Sequence, residues 1–236
     1  MSSHVSQSPI ADEPIAPTEQ EMRLSATGRV EAFSDGVMAI AITLLVLDLK
    51  VPTTTEIEKA GSLITALADR WPSYAAYLAA FLTIGIIWLN HRSFVDKIRR
   101  FDATLHWLNL GLLLGIATLP FPTSLLAAYV TDSNTTAAST AAVIYGLLSF
   151  GTALPWSFMW RHLARHPVLL EPPLDARYAR KELRRAALGP VIYGLAIPLA
   201  WFAPLVALAF YIALAVLYAV TNQGASLGGA AAGASR

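Results

Sequence analysis

Four polar side chains crowd one end of an otherwise apolar run: in RVEAFSDGVMAIAITLLVLDLK, residues 29–50, Arg29, Glu31, Ser34 and Asp35 precede a stretch that would sit comfortably in lipid. Charge at membrane depth is expensive and usually functional. At about 100° per residue on a helix, Arg29 and Asp35 point about 120° apart, so they cannot pair along one face. Their partners must come from neighbouring helices, and candidates stand at the same level: Trp88, Asn90, His91 and Arg92 at the end of a second apolar run, His106 and Asn109 at the start of a third. Two readings stand side by side, a cross-helix polar network and an Asp35 that merely reaches the headgroup zone. Farther along, Gly36, Ile40, Thr43 and Leu47 recur at i, i+4, i+7 and i+11 and share one stripe. A row of small, branched apolar and hydroxyl side chains suits a narrow path for ions, apolar rings excluding water and hydroxyls replacing part of the hydration shell. Asp48, one residue beyond, would supply negative charge at the outer mouth and favour cations. The competing reading is that Gly36 and Thr43 simply allow close helix packing, a common use of small residues in membranes.

Such a helix needs a membrane, and the composition supplies one. The chain is 55% hydrophobic and 14% charged, with mean hydropathy +0.51, whereas an ordinary soluble protein carries about 25% charge. Six apolar stretches, at about 30–49, 74–91, 104–130, 139–160, 185–201 and 204–221, each approach the ~20 residues a hydrocarbon core requires. The last two abut, and Pro198 and Pro204 place a tight hairpin near Ala200 to Ala203. Continuous apolar runs do not alternate in and out as barrel strands must. The reading is therefore an all-α, polytopic membrane protein with six transmembrane helices.

Loop charge orients it, because Lys and Arg stay on the cytoplasmic side of short loops. Of the 17 basic residues, only Lys50, Lys59 and Arg70 fall on one side; the rest lie in the two tails and in the second and fourth connections. Both termini are thus expected to be cytoplasmic. Residues 1–28 lack the basic start and greasy core of a signal peptide and read as a disordered cytoplasmic tail; 29–221 form the transmembrane domain, and 222–236 a flexible small-residue tail. The basic segment LDARYARKELRRAALG, residues 174–189, reads as an amphipathic lead-in to the fifth helix whose Arg and Lys meet anionic headgroups.

Several chemistries drop out. With no cysteine, disulfides, thiolate catalysis and zinc–thiolate sites are excluded. A net charge of +1 offers no electrostatic footprint for nucleic acid. His4, His91, His106, His162 and His166 are scattered; His162 and His166 could turn two imidazoles toward a metal, but no third ligand is near, and a headgroup-facing basic turn is the plainer account. Neither a paired-carboxylate motif nor G-x-S-x-G occurs, so no enzyme is expected and no cofactor is implied.

The string Arg29-Val30-Glu31-Ala32-Phe33-Ser34-Asp35, an R-x-x-x-F-S-D pattern opening the first span, resembles the signature of the transmembrane protein 175 family, the lysosomal and prokaryotic potassium channels that lack a P-loop. The likeness extends through Pro52, the Trp88-Leu89-Asn90-His91 stretch and the six-span layout. It implies a passive potassium-selective channel of the cell membrane whose pore is lined by the first helix. Ile40 would be the inner apolar ring, Thr43 the hydroxyl layer and Leu47 the outer ring, with the network around Arg29, Phe33, Ser34, Asp35, Trp88, Asn90 and His91 anchoring that helix. Animal members of that family carry two six-helix repeats in one chain, whereas a single F-S-D occurs here, so the resemblance implies a homotetramer like the prokaryotic members. The nearest thing to a T-V-G-Y-G filter, Thr83-Ile84-Gly85-Ile86-Ile87, lies inside a continuous apolar run and lacks the second glycine, so ion selection would fall to side chains. The main alternative is a proton-coupled secondary transporter relaying protons through Asp35 and His91, although transporter sites tend to lie at the midplane between inverted repeats.

Overall fold

The computed structural model describes residues 19–130 and 135–214, with side-chain surroundings from Thr27 onward except at Asp48. Among the described residues the fold is all-helical apart from one antiparallel bridge between Ile98 and Leu170. Five helical stretches are long and apolar enough to cross a membrane: Thr27–Leu47, Trp71–Val95, Ala103–Tyr129, Thr135–Arg165 and Ala176–Phe202. The sixth apolar helix is described only over Pro204–Leu214, about 16 Å of a core roughly 30 Å thick. The expected tail residues 1–18 and 222–236, and the far part of the expected sixth span, lie outside the described residues.

Helix α1 (Glu19–Leu44) passes into a 3₁₀ turn (Leu45–Asp48). It starts well before the expected residue 30, because Glu19-Gln20-Glu21-Met22-Arg23-Leu24 is a run of strong helix formers that carries the helix out of the apolar zone. The first connection holds two short helices, α2 (Thr54–Ala60) and α3 (Leu63–Ala68). Thr53 and Glu56 form a reciprocal capping box, the Thr53 N–H donating to the Glu56 carboxylate at 2.6 Å. Arg70 donates to the same carboxylate at 2.8 and 2.9 Å and ties the end of the connection to its beginning.

Helix α4 spans Trp71–Val95 without interruption and keeps Thr83-Ile84-Gly85-Ile86-Ile87 helical. The third apolar run stays one span, Ala103–Tyr129, as expected, but its hydrogen-bond ladder is divided at Leu119 into α5 (Ala103–Thr118) and α6 (Pro120–Tyr129), since Pro120 and Pro122 bring no N–H to it. Helix α7 covers Thr135–Arg165, and α8 Ala176–Phe202. The basic lead-in and the fifth span are therefore one helix, started by Asp175, whose carboxylate accepts from the Arg177 and Tyr178 N–H groups at 2.9 Å. Pro198 lies inside this helix, and the break falls at Ala203, within the expected Ala200 to Ala203, before Pro204 opens α9 (Pro204–Leu214). Prolines persist inside membrane helices when neighbours re-satisfy the freed carbonyls. Pro190 deprives the Ala186 carbonyl of its in-helix donor, and Ser157 of α7 donates to that carbonyl at 3.1 Å.

Helix α1 packs on α4 and α5, α5 on α7, and α7 along α8. A first core gathers Met38, Leu45, Ile84, Phe94, Leu112, Met159 and Ala179 from α1 and its 3₁₀ turn, α4, α5, α7 and the start of α8; a second gathers Leu126, Tyr145, Ala196, Leu208 and Tyr211 from α6 to α9. At one end of the bundle the α4–α5 and α7–α8 connections clasp, Arg99 N–H donating to Leu169 O at 2.8 Å and Glu171 N–H to Lys97 O at 3.0 Å.

Candidate functional site on the first helix

The two faces of α1 have opposite fates. Ser34, Met38, Ala41 and Leu45, at i, i+4, i+7 and i+11, are buried against α4 and α5. The opposite row, Phe33, Gly36, Ile40, Thr43 and Leu47, is exposed on the single chain, Ile40 at 62% and Leu47 at 71%. A Cβ added at Gly36 would meet nothing within 4 Å. Packing within the chain therefore makes no use of its smallness, unlike Gly115, where an added Cβ would lie 2.9 Å from the Thr152 Cα across the α5–α7 crossing. The Thr43 hydroxyl donates to its own helix, at 3.0 Å from Ala39 O and 2.9 Å from Ile40 O. A hydroxyl has one proton and two lone pairs, so with the proton held inward Thr43 has acceptor oxygen left to offer. The backbone of Asp48 closes the 3₁₀ turn, and its side chain lies outside the described residues.

On the buried face three polar side chains from three helices meet. Asn109 of α5 donates from Nδ2 to Ser34 Oγ at 3.0 Å, and its Oδ1 lies 2.8 Å from His91 Nε2 of α4. With the amide nitrogen committed to Ser34, Oδ1 faces the imidazole and accepts from it, so Nε2 carries the proton. Ser34 and His91 are fully buried, and His91 Nδ1 has no hydrogen-bond partner among the described residues. Beside them, Trp88 Nε1 donates to Asp35 Oδ1 at 2.9 Å. Thus α4 supplies two of the anchors, and α5 the third. Asn90 is half-buried on α4. Other candidates point elsewhere: Arg29 and Arg92 are exposed, Phe33 stands on the bare row away from this group, and His106 turns to the Asp102 carbonyl at 2.8 Å.

One cluster carries no signal in the sequence reading. Asp102 accepts from Leu105 N–H at 2.9 Å as the cap of α5, and its other oxygen lies 2.7 Å from His162 Nε2 of α7. Partial burial pushes this carboxyl up, but those two partners outweigh it and hold it below the usual carboxylate range. The His162 and His166 rings stack with centroids 4.3 Å apart rather than converging on a common point. Among the described residues no three His, Asp or Glu side chains gather to hold a metal. An Asp just ahead of an apolar run is a capping signature, whereas its partner 60 residues away is not inferable from spacing.

Helices long enough for a bilayer, joined by short connections, make this a multi-pass α-helical membrane protein, with a first span packed on one side and bare on the other. Known proteins sharpen that class. The family model for the endosomal/lysosomal potassium channel TMEM175 matches residues 29–120, the stretch that holds both the bare row and the polar group. The chain is 44% identical over 195 residues to Potassium channel B446_29190 of Streptomyces collinus, covering 83% of this chain and 92% of the relative. The crystal structure of a lysosomal potassium-selective channel TMEM175 homolog from Chamaesiphon minutus superposes with a TM-score of 0.74 at 34% identity, covering 84% of this chain and 98% of that one. The endosomal/lysosomal proton channel TMEM175 of Mus musculus is 40% identical over 97 residues, 39% of this chain and 19% of that protein. This chain belongs to the TMEM175 family.

Proposed function

We propose that the chain is a passive potassium-selective cation channel, in which four copies bring their first helices together around one axis. The observation that carries this reading is the exposed row on α1 opposite a fully packed one. Lipid would accept Ile40 and Leu47 but gains nothing from the glycine and the hydroxyl interleaved with them. Around an axis the same row makes sense: Ile40 and Leu47 form dry constrictions, and Thr43 oxygens replace part of the ion's hydration shell between them. Asp48 draws cations to the outer mouth. The Ser34–Asn109–His91 and Asp35–Trp88 bonds, with Asn90 on the same helix as Trp88 and His91, anchor α1 so that small rotations widen or close the neck; Arg29 and Phe33, exposed on the single chain, would act at the interface between copies. The strongly one-sided distribution of Lys and Arg supports cytoplasmic termini and a sixth span expected over 204–221.

Bilayer recordings under opposed potassium and sodium gradients test the reading. The wild-type reversal potential should lie toward that of potassium, and Thr43→Ala should move it toward zero. Ile40→Asn and Leu47→Asn should raise conductance severalfold by wetting the constrictions; unchanged conductance in both would remove the pore from α1. The alternative, proton-coupled transport, has the specific support of two titratable side chains, Asp35 and His91, on helices that pack together, although their bonds run to different partners, Trp88 and Asn109. A saturable flux that stops without a pH gradient would favour it over the channel.

A further inference from the structure

We propose that the groove between the start of α5 and the end of α7 binds one anionic phospholipid, its phosphate on Arg161 and Arg165 and an acyl chain along Leu108 and Phe158. The groove is an open cavity of about 310 Å³, lined by Thr104, Leu108, Phe158, Arg161, His162 and Arg165. The four α7 residues fall at i, i+3, i+4 and i+7 and share one face of that helix. Its charge is unbalanced. Among the described residues neither arginine pairs with a carboxylate. Asp102, which reaches the groove's own His162, is engaged by that ring and by the Leu105 N–H. Thr104, in the first turn of α5, lines the same groove, where the positive end of that helix also lies.

Position selects the ligand. The spans Ala103–Tyr129 and Thr135–Arg165 both end here, so the arginines stand at headgroup level, while Leu108 and Phe158 lie about one turn deeper. A free phosphate would use the rim and leave that apolar floor wet. A diacyl phosphate covers both, and an Arg pair suits a phosphate's oxygens in bidentate geometry.

Native mass spectrometry of the full-length protein, released from detergent after equilibration with phosphatidylglycerol or phosphatidylcholine at equal concentration, reads this directly. One phosphatidylglycerol per chain should persist, with phosphatidylcholine far below it. Arg161→Gln/Arg165→Gln should cut its occupancy about tenfold, Arg161→Lys/Arg165→Lys should keep most of it, and excess inorganic phosphate should fail to displace it. Equal retention of both lipids, no loss in the Gln variant, or displacement by phosphate would each overturn the proposal. Because the chain has no cysteine, maleimide labelling of Thr104→Cys in zwitterionic bilayers adds a last arm. Open labelling supports a lipid-facing groove, and blocked labelling means that a second copy covers it.

Discussion

Asn109 uses both ends of one amide in a buried seam, giving to Ser34 and receiving from His91. Asn109→Leu would strand two polar groups at about 1–3 kcal/mol each, so the unfolding midpoint in detergent should fall clearly. Asn109→Asp, which can still accept from His91 and from a rotated Ser34 hydroxyl, should fall less; equal losses would mean that packing, not hydrogen bonding, fixes the seam. Glu56 makes a second residue-scale case. The Thr53 N–H and hydroxyl, then Arg70, hold its carboxyl down at about 2. A carboxyl lowered in the folded state contributes fully above its ordinary value near 4.5 and loses that contribution as the pH falls toward 2. Carbon-detected NMR titration of Glu56 should show the low midpoint, and Thr53→Val should raise it. That Ser34 and Asp35 find partners on neighbouring helices is legible in the sequence, because polar groups inside an apolar run are conspicuous. Phe33 was not placed correctly, since a motif records neighbours in sequence, whereas a helix sends successive side chains about 100° apart.

Among the helices, glycine separates two kinds of contact. Gly115→Ala would drive a methyl against the Thr152 backbone and should cost about 1–3 kcal/mol by forcing α5 from α7. Gly36→Ala meets open space in the single chain and should leave the stability of the subunit unchanged while reducing conductance; a destabilised subunit would show that the bare row is not bare. Ser157→Ala should also destabilise, because the carbonyl freed by Pro190 would lose its cross-helix donor. The long apolar runs made the helices readable, while their breaks were not. Pro120 divides a run that reads as continuous, whereas Pro190 and Pro198 leave α8 intact as far as Phe202. Whether a proline breaks a membrane helix depends on what the neighbouring helix can donate, and that is tertiary information.

At the scale of the molecule, the single chain leaves large apolar side chains such as Trp107, Leu114, Leu195 and Phe202 exposed, which lipid or further copies must cover. Chemical cross-linking in mild detergent should give a ladder ending at four chains; a ladder ending at one or two would contradict the channel reading. The number of copies left no trace in hydropathy, because lipid-facing and copy-facing positions are equally greasy. The two cores divide the labour unequally. All of the packed row of α1 that is apolar, Met38, Ala41 and Leu45, belongs to the first, and α8 and α9 close the second around Tyr211. Under the channel reading, thinning or stretching of the bilayer that loosens the second core should therefore reach the first helix through α4 to α7 and through the start of α8, whose Ala179 belongs to the first core, so that α9 takes up such load before the throat does.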